Sequence, residues 1–95
     1  MPAYLIANIT VKDAKKMEAY AAAAGPTLDA HGAEFIMEGH LAENLSGHWP
    51  VQGVALVRFP CIEAAQTWCH SADYQALHDL RTSAADMDIA LFEAA

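Results

Sequence analysis

Val51-Gln52-Gly53-Val54-Ala55-Leu56-Val57-Arg58-Phe59, closed by Pro60, is the stretch on which the fold turns. Val54 to Val57 is an almost unbroken apolar run, which reads as a strand covered on both faces. Pro60 has no amide hydrogen and ends it. Immediately upstream, Ser46-Gly47-His48-Trp49-Pro50 is a cluster of turn formers. Before that lies a second strand, from about Ala33 to Leu41, with room to continue to Leu45. A turn centred near His48 sets Leu45 opposite Val51 and Glu38 opposite Arg58. Opposite charges across antiparallel strands contribute about 0.2–1 kcal/mol, and an arginine on an apolar strand needs a partner because a buried lone charge is costly.

Working outward, Ala3 to Val11 alternates with period two. Leu5, Ala7, Ile9 and Val11 share one face; Tyr4, Ile6, Asn8 and Thr10 share the other. Asp13 is a helix N-cap, and the helix after it lines up Met17, Tyr20, Ala21, Ala24 and Leu28. Gly25-Pro26 predicts a kink or restart, and Gly32 a stop. Downstream of Pro60, Cys61 to His70 reads as a helix, with Ala65, Trp68 and Cys69 toward the core. Ser71 caps another from Ala72 to about Ala85, and Met87 to Glu93 is a fourth strand. The order is β-α-β-β-α-β, the ferredoxin-like split βαβ arrangement of an α+β protein. Its helices cover one face of an antiparallel sheet. The first and third strands also carry apolar residues on the other face, so a homodimer closed sheet against sheet is expected.

The chain of 95 residues is one small domain, residues 1–95, and 21 of those residues are alanine, which bury little area each. Oligomerisation is a common way for such a chain to gain stability. Twelve acids against five bases give a net charge of −7, which lacks the basic footprint of a nucleic-acid binder and disfavours anionic membrane surfaces. No apolar run approaches the 18 or so residues of a bilayer span, and the N-terminus lacks the pattern of a signal peptide. Cys61 and Cys69, without a CxxC pattern, read as reduced thiols of a cytoplasmic protein.

Several segments together resemble a bacterial family known as a domain of unknown function, number thirteen-thirty, within the dimeric α/β-barrel superfamily. They are Met1-Pro2-Ala3-Tyr4, Gly47-His48-Trp49-Pro50, Phe59-Pro60 with Glu63-Ala64-Ala65, and Trp68-Cys69-His70-Ser71-Ala72-Asp73-Tyr74-Gln75-Ala76-Leu77 ending in Arg81. The resemblance spans nearly the whole chain and implies the dimeric ferredoxin-like fold, with no agreed activity. The sequence departs from the family pattern at Glu38, usually basic, and Arg58, usually acidic. It departs also at His40, usually glycine, and at Cys61, usually a serine cap; cysteine caps poorly.

Two constellations carry chemistry. Within the superfamily, the chain is similar to ruffled-haem monooxygenases at Asn8, Trp68 and His78. That likeness implies axial ligation by a neutral imidazole, an indole pressing on the macrocycle, and an amide donating to bound oxygen. The structural reading of Trp68 is a core aromatic. The second constellation is Tyr20, Trp68, Tyr74 and Arg81 with His40 or His78, lining an apolar cleft between helices and sheet; Arg58 joins them as a ligand-binding candidate. Arg81 anchors a carboxylate or enolate oxygen, His78 acts as base and Asn8 as polarising donor. The structural reading is that Arg81 pairs with Asp86 or Asp88. Superfamily resemblance implies cofactor-free oxygenation, isomerisation or decarboxylation as the chemistry. No metal is expected: the histidines and cysteines lack ligand spacing such as HxxxH. The leading expectation is a cytoplasmic homodimer that binds, and turns over, a small apolar-acidic metabolite without a cofactor. A haem-dependent monooxygenase and a non-catalytic binding or stress-response module are the alternatives.

Overall fold

A computed structural model describes residues 1–95. The elements are β1 (Ala3–Val11), α1 (Ala14–Asp29), β2 (Glu34–His40), β3 (Gly53–Phe59), α2 (Ile62–Cys69), α3 (Ala72–Gln75), α4 (His78–Ala84) and β4 (Ala85–Glu93). The four strands form one antiparallel sheet in the order β2-β3-β1-β4. This is the ferredoxin-like α+β fold that the order of elements predicts. No helix is long and apolar enough to cross a membrane.

Alternation along β1 decides what is buried. Ala3, Leu5, Ala7 and Ile9 are buried beneath the helices, beside Ala55, Val57 and Phe59 of β3. Tyr4, Ile6 and Asn8 occupy the opposite, helix-free face with Val54, Leu56 and Arg58, and all six are only half-buried. Exposed Met37 and Phe92 extend this open face onto β2 and β4. Both faces of the central strands are therefore apolar, while this chain covers one.

Asp13 caps α1 by accepting from the Lys16 amide at 3.1 Å. Gly25-Pro26 does not break this helix, which runs on to Asp29. Pro26, in the last turns, takes away the amide bond to the Ala22 carbonyl, but its own carbonyl still accepts from Ala30 and Thr27 Oγ1 donates to the Ala24 carbonyl. The chain then turns at Gly32, whose φ of 73° is left-handed backbone that suits glycine. Cys61 precedes α2 with no side-chain cap bond. The helix expected from Ala72 to Ala85 is two short ones, because the chain breaks at Ala76 and Leu77, where Leu77 takes the bridge conformation (φ −91°, ψ 0°).

The hairpin register differs from the expectation. Arg58 stands opposite Glu34, with the ion pair at 3.9 Å, and Glu38 stands opposite Ala55. No tight turn centres on His48, and a long connection separates His40 from Gly53, so symmetry about the turn does not set the pairing. A bulge between Phe35 and Met37 then shifts the register by one residue. Arg58 therefore belongs to a half-exposed ion pair on the open face, away from any cleft. Asp86 pairs with Lys12 at 3.4 Å, not with Arg81.

Candidate functional site

A cavity of about 130 Å³ lies between α1 and the sheet. Its existence follows from small side chains on both walls. Ala7 and Ala55 form part of the floor; Ala21, Ala24 and Gly25 of α1 form the roof. Outside its chain neighbours and its own helix backbone, no atom lies within 4 Å of where a Cβ on Gly25 would stand. Larger residues close the two sides: Met17, Leu28 and Phe35 toward β2, Trp68, Met87 and Ile89 toward β4.

Four of the residues expected at the site are brought together here. Trp68 is buried against Phe59 (ring centroids 5.6 Å) and stacks on Tyr74 (4.0 Å), while its Nε1 donates to Thr27 Oγ1 at 3.0 Å. Thr27 has no signal in the sequence beyond its place on α1. Ser71 positions Tyr74: its hydroxyl accepts from the Tyr74 amide and donates to the Trp68 carbonyl. The Tyr20 and Tyr74 hydroxyls lie 2.9 Å apart, and Arg81 Nη1 donates to Tyr74 Oη at 2.9 Å, with the guanidinium beside the Tyr74 ring. Arg81 lines an open annex that shares Leu5, Trp68, Tyr74, Met87 and Ile89 with the cavity.

Counting hydrogens defines what this chain of groups offers a ligand. A guanidinium only donates, so Tyr74 Oη is an acceptor toward Arg81. One hydroxyl hydrogen is used between the two tyrosines. The other, on whichever tyrosine accepts, is left free to donate. A donor backed by a positive charge is a site for a ligand oxygen that carries or develops negative charge. Burial first, and then the bond to Tyr74, push the Tyr20 hydroxyl well above its ordinary 10.0, against a smaller opposite pull from Arg81, so Tyr20 keeps its hydrogen.

The remaining candidates lie elsewhere. His78 is exposed on α4 and meets Arg81, with Nη2 to Nδ1 at 3.2 Å. Because the guanidinium donates, Nδ1 accepts and the ring hydrogen sits on Nε2. His78 borders neither cavity nor annex, and its Nδ1 is occupied by Arg81. Asn8 lies on the helix-free face between Val54 and Asp88, and shares with Arg81 only a shallow polar depression at the β4 edge. Asn8, Trp68 and His78 thus occupy the open face, the core and the surface of α4. They do not converge on a space for a macrocycle, so these residues do not fit a haem. No group of three or more His, Cys, Asp or Glu side chains is gathered in a metal-holding arrangement, and Cys61 and Cys69 are free thiols. His40 lies on the helix-facing side of β2, in an open groove with Glu38 and Gln52. Glu38 also lines the apolar cavity, a role that sequence reasoning missed because it assigned Glu38 to Arg58.

The fold is shared with solved proteins of distant sequence. A protein of unknown function from Rhodopseudomonas palustris superposes with a TM-score of 0.81 at 16% identity, over 99% of this chain and 82% of its own. SnoaB, a cofactor-independent oxygenase from Streptomyces nogalater, gives 0.70 at 15% identity, over 99% and 93%. A dimeric ferredoxin-like protein of unknown function from a Jannaschia species gives 0.68 at 13% identity, over 99% and 100%. No curated protein sequence matches the chain. Residues 2–95 match the family described as a domain of unknown function, DUF1330, and this protein belongs to that family.

Proposed function

We propose that this protein works as a homodimer in which each subunit binds a small, largely apolar molecule through an acidic or enolic oxygen. The observation that carries the reading is the unspent tyrosine hydrogen backed by Arg81, beside a cavity whose lining is otherwise almost wholly apolar. Apolar walls with few convergent polar groups are the usual form of a small-molecule site. Such a donor stabilises an enolate or phenolate, the electron-rich species that reacts with dioxygen, or reprotonates at another carbon, without a cofactor. The reaction class is cofactor-independent oxygenation or isomerisation. The shared fold of SnoaB is in keeping with this. Arg81 and Tyr74 bind the oxygen, Trp68 and Tyr20 shape the cavity, and His78 orients Arg81. The dimer reading rests on the open sheet face, where Ile6, Val54, Leu56 and Phe92 leave apolar surface to water, and on the dimeric Jannaschia relative.

The test is calorimetric titration with phenols and aryl 1,3-diketones, followed by oxygen-electrode and product measurements in metal-free, flavin-free buffer. Acidic members of the set should bind wild type and lose at least tenfold in affinity with Arg81→Gln or Tyr74→Phe. Equal affinity in all three proteins removes the proposed site. Binding with neither oxygen uptake nor rearranged product reduces the function to binding alone. A sedimentation experiment that finds only a 10.2 kDa particle at micromolar concentration removes the dimer.

A further inference from the structure

We infer that Glu38 is a second polar pole of the cavity, and that the ligand is bipolar: a flat aromatic body with an acidic oxygen at the Arg81 end and a hydrogen-bond donor, in the strongest case an ammonium group, at the Glu38 end. The inference rests on the reading of the Arg81 end given above and names the ligand class of that same site.

A bulge in β2 aims Glu38. Phe35 opposes Val57 on the helix-facing side, so unbroken alternation turns Glu38 toward the helix-free face. Ile36 is the extra residue; it moves Met37 opposite Leu56 on the open face and brings Glu38 opposite Ala55 on the helix-facing side. Bulges commonly re-aim a side chain next to a site. Glu38 thus borders an otherwise apolar cavity, in which 15 of 17 lining residues are hydrophobic and Glu38 is the one charged residue.

No cation of the chain answers it. Arg58 pairs with Glu34, Lys12 with Asp86, and Arg81 with Tyr74 and His78. Lys15 and Lys16 are exposed on α1 and form no ion pair. An exposed carboxylate beside an apolar cavity, with no internal partner, keeps its acceptor oxygens open to a ligand that brings a donor to it.

The space between the poles suits one ring. From Glu38 the row of paired residues runs through Ala55 and Ala7 to Ile89, so the narrow part of the channel floor is two methyl groups. Three strand spacings separate Glu38 from Ile89, about 14 Å between backbones; Ile89 lines the annex together with Arg81, and side chains extending from the two ends shorten the gap. The cavity, about 130 Å³ and partly open to solvent, is close to the ~150 Å³ of an apolar cavity that holds benzene. A substituent on each side then extends toward the groove at Glu38 and toward the annex at Arg81.

The probes are 4-(aminomethyl)benzoate, which carries both groups, 4-methylbenzoate, which lacks the ammonium, and benzylamine, which lacks the acid. Each is titrated by calorimetry into wild type, Glu38→Gln and Arg81→Gln. Glu38 is exposed on an edge strand, and the isosteric Gln leaves the fold intact, which circular dichroism checks. The expected result is that wild type binds the bipolar probe at least tenfold more tightly than 4-methylbenzoate. Glu38→Gln should erase that preference and leave 4-methylbenzoate binding unchanged. Persistence of the preference in Glu38→Gln, or its absence in wild type, overturns the Glu38 pole while the Arg81 reading stands. If neither acid depends on Arg81 but benzylamine binds and is lost in Glu38→Gln, the Arg81 reading fails and the Glu38 pole survives. Failure of all three probes to bind overturns both.

Discussion

Removing one oxygen atom from Tyr74 should cost more than removing its counterpart from Tyr20, although the two hydroxyls bond to each other. Tyr20 is 8% exposed, and Tyr74 is its hydrogen-bond partner. In Tyr74→Phe the Tyr20 hydroxyl stays buried with no partner, a loss of about 1–3 kcal/mol. Arg81 also loses its contact, but it is half-exposed and regains water. In Tyr20→Phe, by contrast, Tyr74 keeps its bond from Arg81, so the cost is that of one ordinary hydrogen bond, about 0.5–1.5 kcal/mol. The double variant has no orphaned hydroxyl. It should fall short of the sum of the singles by on the order of 1 kcal/mol, a coupling typical of groups in one network. Urea unfolding at one fixed protein concentration reads these differences; in a thermal melt each kcal/mol appears as about 4–8 °C. A larger loss for Tyr20→Phe than for Tyr74→Phe, or strict additivity, would show that the hydroxyls are not linked as described.

Two further outcomes follow from the structure. Because Tyr20 holds its hydrogen more tightly in the folded chain, the stability this provides is intact below the ordinary 10.0 and is lost as pH rises beyond it. The slope is about 1.4 kcal/mol per pH unit for one proton. Alkaline unfolding should therefore steepen above pH 10 in wild type and be shallower in Tyr20→Phe, and tyrosinate absorbance should lose its latest step in that variant; identical curves refute it. The register of β2 can be checked by suppression. Arg58→Glu sets two acids face to face and should cost roughly 0.5 kcal/mol. Adding Glu34→Arg should recover it, whereas adding Glu38→Arg should not; rescue by position 38 restores the symmetric hairpin.

The strands and helices are legible because their periodicities are clean. Ala3 to Ile9 alternates as its burial does, and Trp68, Tyr74 and Arg81 meet because successive short helices return them to one side. The same alternation puts Asn8 opposite Leu5 and Ala7. That phase already separates it from Trp68, so spacing along the chain was a poorer guide to the site than strand parity. Pro26 misleads for a different reason: a proline near the end of a helix removes a single bond, and neighbouring polar groups stabilise the turn around it. Glu38 is illegible because a bulge leaves no mark in a pattern of apolar residues. Glu34-Phe35-Ile36-Met37-Glu38 reads equally well with or without the extra residue.

That extra residue connects the two halves of the functional reading. Without it, Glu38 and His40 stand on the open face of the sheet, in the area that the proposed second subunit would cover, as groups that would lose water there without a partner. With it, Met37 and Gly39 take those places, opposite Leu56 and Val54, and the β2 side of the open face carries no charge beyond the Glu34–Arg58 pair. The two polar side chains move to the helix side, where Glu38 meets the cavity and both line the groove. Desolvating a carboxylate in a subunit interface costs several kcal/mol, far more than the ladder bond a bulge disturbs. In the proposed dimer the irregularity would therefore keep Glu38 out of the interface, and by the same displacement it brings that charged residue to the cavity.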